Sequence, residues 1–151
     1  MMSSEISSNK PAALSNWLPV LFLLLGAIGF TDATYLAVKH FLGTPVPCSI
    51  LKGCEQVTTS QYAAIFGVPV ALLGAIYYLS IIILTVAYLD SRNRKFLNLA
   101  ARLTILGFLA SIYFVYLQIF VIKAICLYCM GSAITSTLLF ILGLIYRQKN
   151  K

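Results

Sequence analysis

The chain has 151 residues, of which 60% are hydrophobic and only 10% charged. A soluble domain of this length carries about a quarter charged residues, so the composition points to a membrane protein. A net charge of +7 would suggest nucleic acid in a polar protein. Here the basic residues gather between apolar runs, and no Gly-rich phosphate loop or acidic metal cluster appears, so neither nucleic acid nor a metal is expected as a partner.

Residues 1–15 are polar and Ser-rich, which predicts a disordered tail. Four apolar segments follow, each long enough to cross a bilayer at about 20 residues. The first runs from Trp17, a fitting interfacial anchor, to about Leu42 and carries an acid, Asp32, in its second half. An intramembrane carboxylate is expensive unless it faces protein or water. It is therefore either a proton donor or a helix-end acid paired with backbone or Lys123. Gly43–Gln61 is the one sizeable loop. Tyr62–Leu89 is the second span, with Pro69 bending or beginning a helix near its start. After the basic loop Asp90–Lys95 comes the third span, Phe96–Ile122. A tight turn at Lys123–Ile125 leads to the fourth, Cys126–Tyr146, and residues 147–151 form a basic tail. The small residues Gly131, Ser132, Thr135 and Ser136 predict close helix packing on the fourth span.

The fold expected is thus an all-α membrane protein, a four-helix bundle over residues 16–146 with a capping loop between its first two spans. Lys10, Arg92, Arg94, Lys95, Arg102, Arg147, Lys149 and Lys151 fall on the side of the termini, against Lys39, Lys52 and Lys123 on the other. The positive-inside rule then puts both termini in the cytoplasm and every cysteine outside, where disulfides form and persist.

The cysteines are Cys48 and Cys54 in the loop, and Cys126 and Cys129 at the start of the last span. Two cysteines three apart share a helix face. At a helix N-terminus the free N–H groups and dipole favour a thiolate, so the first of the pair is expected to be the more acidic and reactive. Plain structural staples are one reading of four cysteines, but a membrane bundle has little need of them. Zinc is disfavoured by the loose C-x5-C spacing and an oxidising compartment. A relay of two dithiols fits better. A mobile pair meets a protein partner, and a fixed pair passes electrons onward to a lipid-soluble acceptor.

Several motifs together resemble the vitamin K epoxide reductase family in its bacterial form. They are Thr34-Tyr35-Leu36, the loop Cys48-Ser49-Ile50-Leu51-Lys52-Gly53-Cys54, Val57-Thr58-Thr59-Ser60, Phe66-Gly67-Val68-Pro69 and Cys126-Leu127-Tyr128-Cys129. The resemblance implies a four-helix bundle around a quinone, ubiquinone or menaquinone, capped by the loop and a short surface helix. It implies that Cys48 meets a thioredoxin-like (DsbA-like) oxidase, that Cys54 shuttles electrons to Cys126, and that Cys129 faces the quinone. Ser60 aligns with a family serine near the pocket lid. Without a fused thioredoxin domain before Lys151, the partner is expected to be a separate protein. Phe66, Tyr113, Tyr116 and Tyr128 are candidate walls for a flat ring, within a wider aromatic set of Tyr62, Phe114 and Phe120. In the animal enzymes a tyrosine follows the CxxC where Ala133 stands here, and a pocket asparagine falls near Ala63. Quinone reduction is accordingly favoured over epoxide reduction. The activity expected is a quinone-dependent thiol oxidase supporting disulfide formation. Vitamin K or epoxide reduction and a non-enzymatic subunit with static disulfides are the alternatives.

Overall fold

The computed structural model describes residues 17–47 and 53–149. The expected tail at residues 1–15, Cys48 and Lys52 lie outside the described residues. Four long helices, α1 (Trp17–Leu42), α3 (Val70–Ser91), α4 (Arg94–Tyr116) and α5 (Leu127–Lys149), carry the bundle. All four are long and apolar enough to cross a membrane, α4 being extended by a π-helical segment at Leu117–Ile122. Between α1 and α3 lie a short helix, α2 (Cys54–Thr58), a 3₁₀ turn (Gln61–Ala63) and a hairpin of two-residue strands, β1 (Ala64–Ile65) and β2 (Val68–Pro69). The chain is a multi-pass helical membrane protein.

The helices are apolar on every side, as expected where lipid replaces water around a bundle. Phe22, Ile81, Ala100 and Leu139 are fully buried in the centre, whereas Leu24, Ile28, Leu106 and Ile134 face outward. The main contacts run α1 with α3 and α5, and α4 with α5 and α3, which closes the four helices into a ring. Small residues permit the closest approaches. A Cβ on Gly29 of α1 would collide with the Tyr78 ring of α3, and one on Gly107 of α4 would collide with the Tyr77 hydroxyl. Tyr78 then donates to the Ser132 carbonyl (2.8 Å) and lies 2.9 Å from Thr135 Oγ1, pinning α3 to α5. Of the small residues expected to pack on α5, Thr135 and Ser136 are buried and Ser132 is half-buried. Gly131 is exposed and nothing lies within 4 Å of where its Cβ would be, so it takes no part in that packing.

Three boundaries differ from the sequence reading. The second span begins at Val70, because Phe66 and Gly67 take positive φ (52° and 80°) and fold residues 64–69 into a hairpin. Pro69 becomes the cap that precedes the helix. The basic loop shrinks to Arg92, in the left-handed conformation that ends α3, and Asn93, whose side chain caps α4 by accepting from Lys95 N–H at 3.1 Å. Finally, Arg147–Lys149 continue α5 as its last turn. The Lys149 ammonium lies 5.8 Å from the centre of the Trp17 ring, so the start of α1 and the end of α5 share one end of the bundle. The cysteines Cys54, Cys126 and Cys129 occupy the other end.

Candidate redox site

At that other end, the π-helical segment stops at Lys123, which takes a positive φ of 57° and turns the chain. Gln118 organises this turn. Its backbone carbonyl accepts from Lys123 N–H and from Ala124 N–H (3.1 Å), and its side-chain Oε1 accepts from Cys126 N–H at 3.0 Å. Held in this way, Cys126 becomes the residue that caps α5. Its carbonyl takes the first helical bond, from Met130 N–H, and its Sγ accepts from Cys129 N–H at 3.4 Å. This is the geometry in which a side-chain oxygen caps a helix, with sulfur in its place.

The electrostatics follow. The Cys129 thiol hydrogen-bonds to the Cys126 sulfur, outweighing the burial that opposes ionisation, with the Cys129 and Tyr128 backbone N–H groups adding support. The Cys126 thiol is thereby lowered from about 9 to about 7. The negative charge of Asp32 acts weakly in the other direction. Cys126 and Cys129 are free thiols, whereas Cys54 is in a disulfide.

Cys54 and Cys126 share one small core. With Leu36, Val46, Val57 and Ala124 they form a buried cluster, and their own exposures are 1% and 0%. Gly53 makes this possible. A Cβ there would stand 2.5 Å from the Ile125 carbonyl oxygen and 2.7 Å from its nitrogen, so the loop backbone rests directly on the turn that carries Cys126. Tyr128 reinforces the end by packing on Tyr35 of α1, ring centres 5.3 Å apart.

Beneath the loop lies a partly open cavity of about 430 Å³, lined by all four helices and by residues of α2, the 3₁₀ turn and the hairpin. Cys129 opens onto it, together with Gln118, Ser60, Tyr62, Tyr77 and Phe114, on an otherwise largely apolar wall. Its size and lining suit a small flat organic ring. Ala63 and Ala133 are both in the wall, each contributing only a methyl group.

The candidate residues read from the sequence therefore separate by position. Ser60 lines the cavity but donates its proton to the Val57 carbonyl at 2.8 Å. Phe66 is fully exposed at the hairpin tip, and Tyr113 and Tyr116 are half exposed on the outer face of α4, so these three are not in the wall. Tyr128 is outside it too, turned toward Tyr35. Asp32 does not line the cavity and is not paired with Lys123, since its buried Oδ2 has no hydrogen-bond partner among the described residues. Two residues escape a reading of the sequence. The signal for Gln118 is a lone amide in the apolar stretch Leu117–Ile122, and that for Gly53 is its place directly before Cys54.

Known proteins bear on this arrangement. Residues 20–144 match the model of the vitamin K epoxide reductase family. A thiol-disulfide oxidoreductase of Arabidopsis thaliana, LTO1, is 33% identical over 121 residues, which cover 74% of this chain and 32% of that protein. The chain thus spans about a third of the length of that relative. With a family match over most of its length, from the first helix to the last, the chain belongs to the vitamin K epoxide reductase family.

Proposed function

We propose that this chain is a quinone-linked thiol oxidase of the membrane. It takes electrons from a thioredoxin-like protein through Cys48 and Cys54, and passes them by way of Cys126 and Cys129 to ubiquinone or menaquinone. The observation that carries the reading is the shared core of Cys54 and Cys126, with Cys129 one helical turn further on and open to an apolar cavity. The name of the Arabidopsis relative supports thiol–disulfide chemistry. The distribution of basic residues supports cytoplasmic termini and an extracytoplasmic cysteine end.

The chemistry balances in two steps. In the first, the Cys54 thiolate attacks the Cys126 sulfur of a Cys126–Cys129 disulfide and releases Cys129. Cys48 then attacks Cys54, closing the loop disulfide and expelling Cys126. A leaving thiol of low pKa departs faster, which suits Cys126 at about 7. The state seen here, with Cys54 oxidised and the helix pair reduced, is the product of this step.

In the second step a bound quinone supplies the oxidising capacity. The two sulfurs join, and two electrons and two protons leave for the quinol. Cys129 opens onto the cavity, and Asp32 is a candidate store for the proton that Cys126 gives up. The paired alanines at positions 63 and 133 favour a quinone over an epoxide, because neither can donate a hydrogen bond to polar substituents there.

The test is quinone reduction by the purified protein in detergent with dithiothreitol as donor. Turnover should be lost with Cys129→Ala and largely kept with Cys48→Ala, since a small thiol bypasses the partner-facing cysteine. A wild type that reduces no quinone would overturn the oxidase reading in favour of static disulfides.

A further inference from the structure

A ring held beside Cys129 needs something to orient its carbonyls, and few groups near the sulfurs can donate. Ser60 gives its proton to Val57 O, and Thr58 gives its own to Cys54 O at 2.8 Å. Ala63 and Ala133 have no donor. The hydroxyls of Tyr77 and Ser136 line the cavity near Gly107 and have no partner among the described residues, but they lie far from the sulfurs. Ser136 follows Cys129 by seven residues, which places them about 10 Å further along the helix.

Gln118 remains. It is 2% exposed, lines the cavity, and lies in the π-helical segment, a distortion found often at functional sites. Its amide can be oriented in one way only. A backbone N–H needs an acceptor, so the atom 3.0 Å from Cys126 N must be the side-chain oxygen. The NH₂ group is then left over, and it has no hydrogen-bond partner among the described residues. Gln118 lines the cavity, so a ligand carbonyl there would give the unused donor a partner.

We propose that the Gln118 side-chain NH₂ donates a hydrogen bond to a carbonyl oxygen of the quinone, while its carbonyl fixes Cys126. The proposal rests on the quinone-oxidase reading and adds to it the residue that recognises the acceptor. One planar amide then ties the position of the ring to that of the redox cysteines. The bond is made to the bound quinone, so its loss weakens quinone binding and raises KM. Gln118 also selects for acceptors with a carbonyl at that point, in place of the side chains missing at positions 63 and 133.

The two functions of the amide separate by substitution. Gln118→Met removes both acceptor and donor. Gln118→Glu keeps the acceptor, lacks a donor when ionised, and regains an O–H donor when protonated. With dithiothreitol and ubiquinone-1, Gln118→Met should raise the quinone KM about tenfold, the scale of one hydrogen bond to a buried polar group. The quinone KM of Gln118→Glu should fall as pH is lowered, whereas that of the wild type should stay level. A purely structural residue would not produce that pH dependence. A wild-type KM in Gln118→Met, or a pH-independent KM in Gln118→Glu, would overturn the assignment. Should Gln118→Met fail to fold, the pH profile of Gln118→Glu decides alone. A wild type without quinone turnover would instead remove the oxidase reading, and this inference with it.

Discussion

Replacing Gly53 by alanine tests whether the loop and helix cysteines communicate through direct backbone contact. Gly53 has a φ of −87°, which any residue adopts, so alanine introduces no backbone strain. What it introduces is a methyl group 2.5 Å from Ile125 O and 2.7 Å from Ile125 N. Both are main-chain atoms of a turn fixed by Gln118, and neither can swing aside. To reach an ordinary separation of about 3.5 Å the loop must withdraw by roughly 1 Å. A displacement of that size can cost about 100-fold in a reaction dependent on alignment, or ~2.7 kcal/mol.

The assay uses Cys48→Ala/Cys129→Ala, which leaves Cys54 and Cys126 as the only cysteines. Equilibration with a glutathione redox buffer, followed by mass spectrometry, gives the effective concentration of one thiol toward the other. Gly53→Ala should lower it by one to two orders of magnitude. In the otherwise native chain, dithiothreitol-driven quinone reduction should persist, because dithiothreitol reaches the helix pair directly, and this separates lost docking from lost folding. An unchanged effective concentration would mean that the sulfurs meet by loop motion and that the contact at Gly53 is incidental.

Three further outcomes follow from named contacts. Thiolate ultraviolet absorbance of the reduced protein should rise with pH around a midpoint of about 7 for Cys126, and Cys129→Ala, which deletes the leading stabiliser of the thiolate, should move the midpoint upward. Asp32→Asn should move it modestly downward, since the carboxylate charge opposes the thiolate; no movement would show that Asp32 is neutral in the reduced protein. Tyr78→Phe removes the bonds to Ser132 and Thr135 and should cost about 1 kcal/mol, seen as a lower thermal midpoint in detergent with the cysteine chemistry retained.

The spans are legible in the sequence because lipid demands long apolar runs and the chain has four of them. Their ends are less so, for a specific reason. Tyr62–Pro69 is as apolar as the helix that follows, and only the backbone conformations of Phe66 and Gly67 divide hairpin from helix. The cysteines are legible by spacing, and Cys126 by its place before an apolar run. The cavity wall is not. Every aromatic near the ends of the spans is a plausible neighbour for a ring, and helix rotation alone decides which face inward. On α4, Phe114 does, whereas Tyr113 and Tyr116 face outward. Gly53 acts by close backbone contact and Gln118 by a side-chain bond to a main-chain N–H, and composition and spacing record neither.

One geometric arrangement accounts for both the acidity of Cys126 and its access to two partners. As the cap of α5 it receives the helix-end N–H bond and the Cys129 thiol on one side, while the Gly53 contact brings Cys54 into the same core on the other. A thiol at about 7 is ionised enough near neutral pH to leave or attack, yet retains nucleophilicity that a stronger acid would lose. Its complete burial shields it from the thiols of other proteins, whereas Cys129 opens onto the cavity and offers a small reagent such as dithiothreitol a point of attack. In the proposed relay, electrons from a protein donor would then enter only through Cys54, with Cys129 as the sulfur that opens onto the cavity.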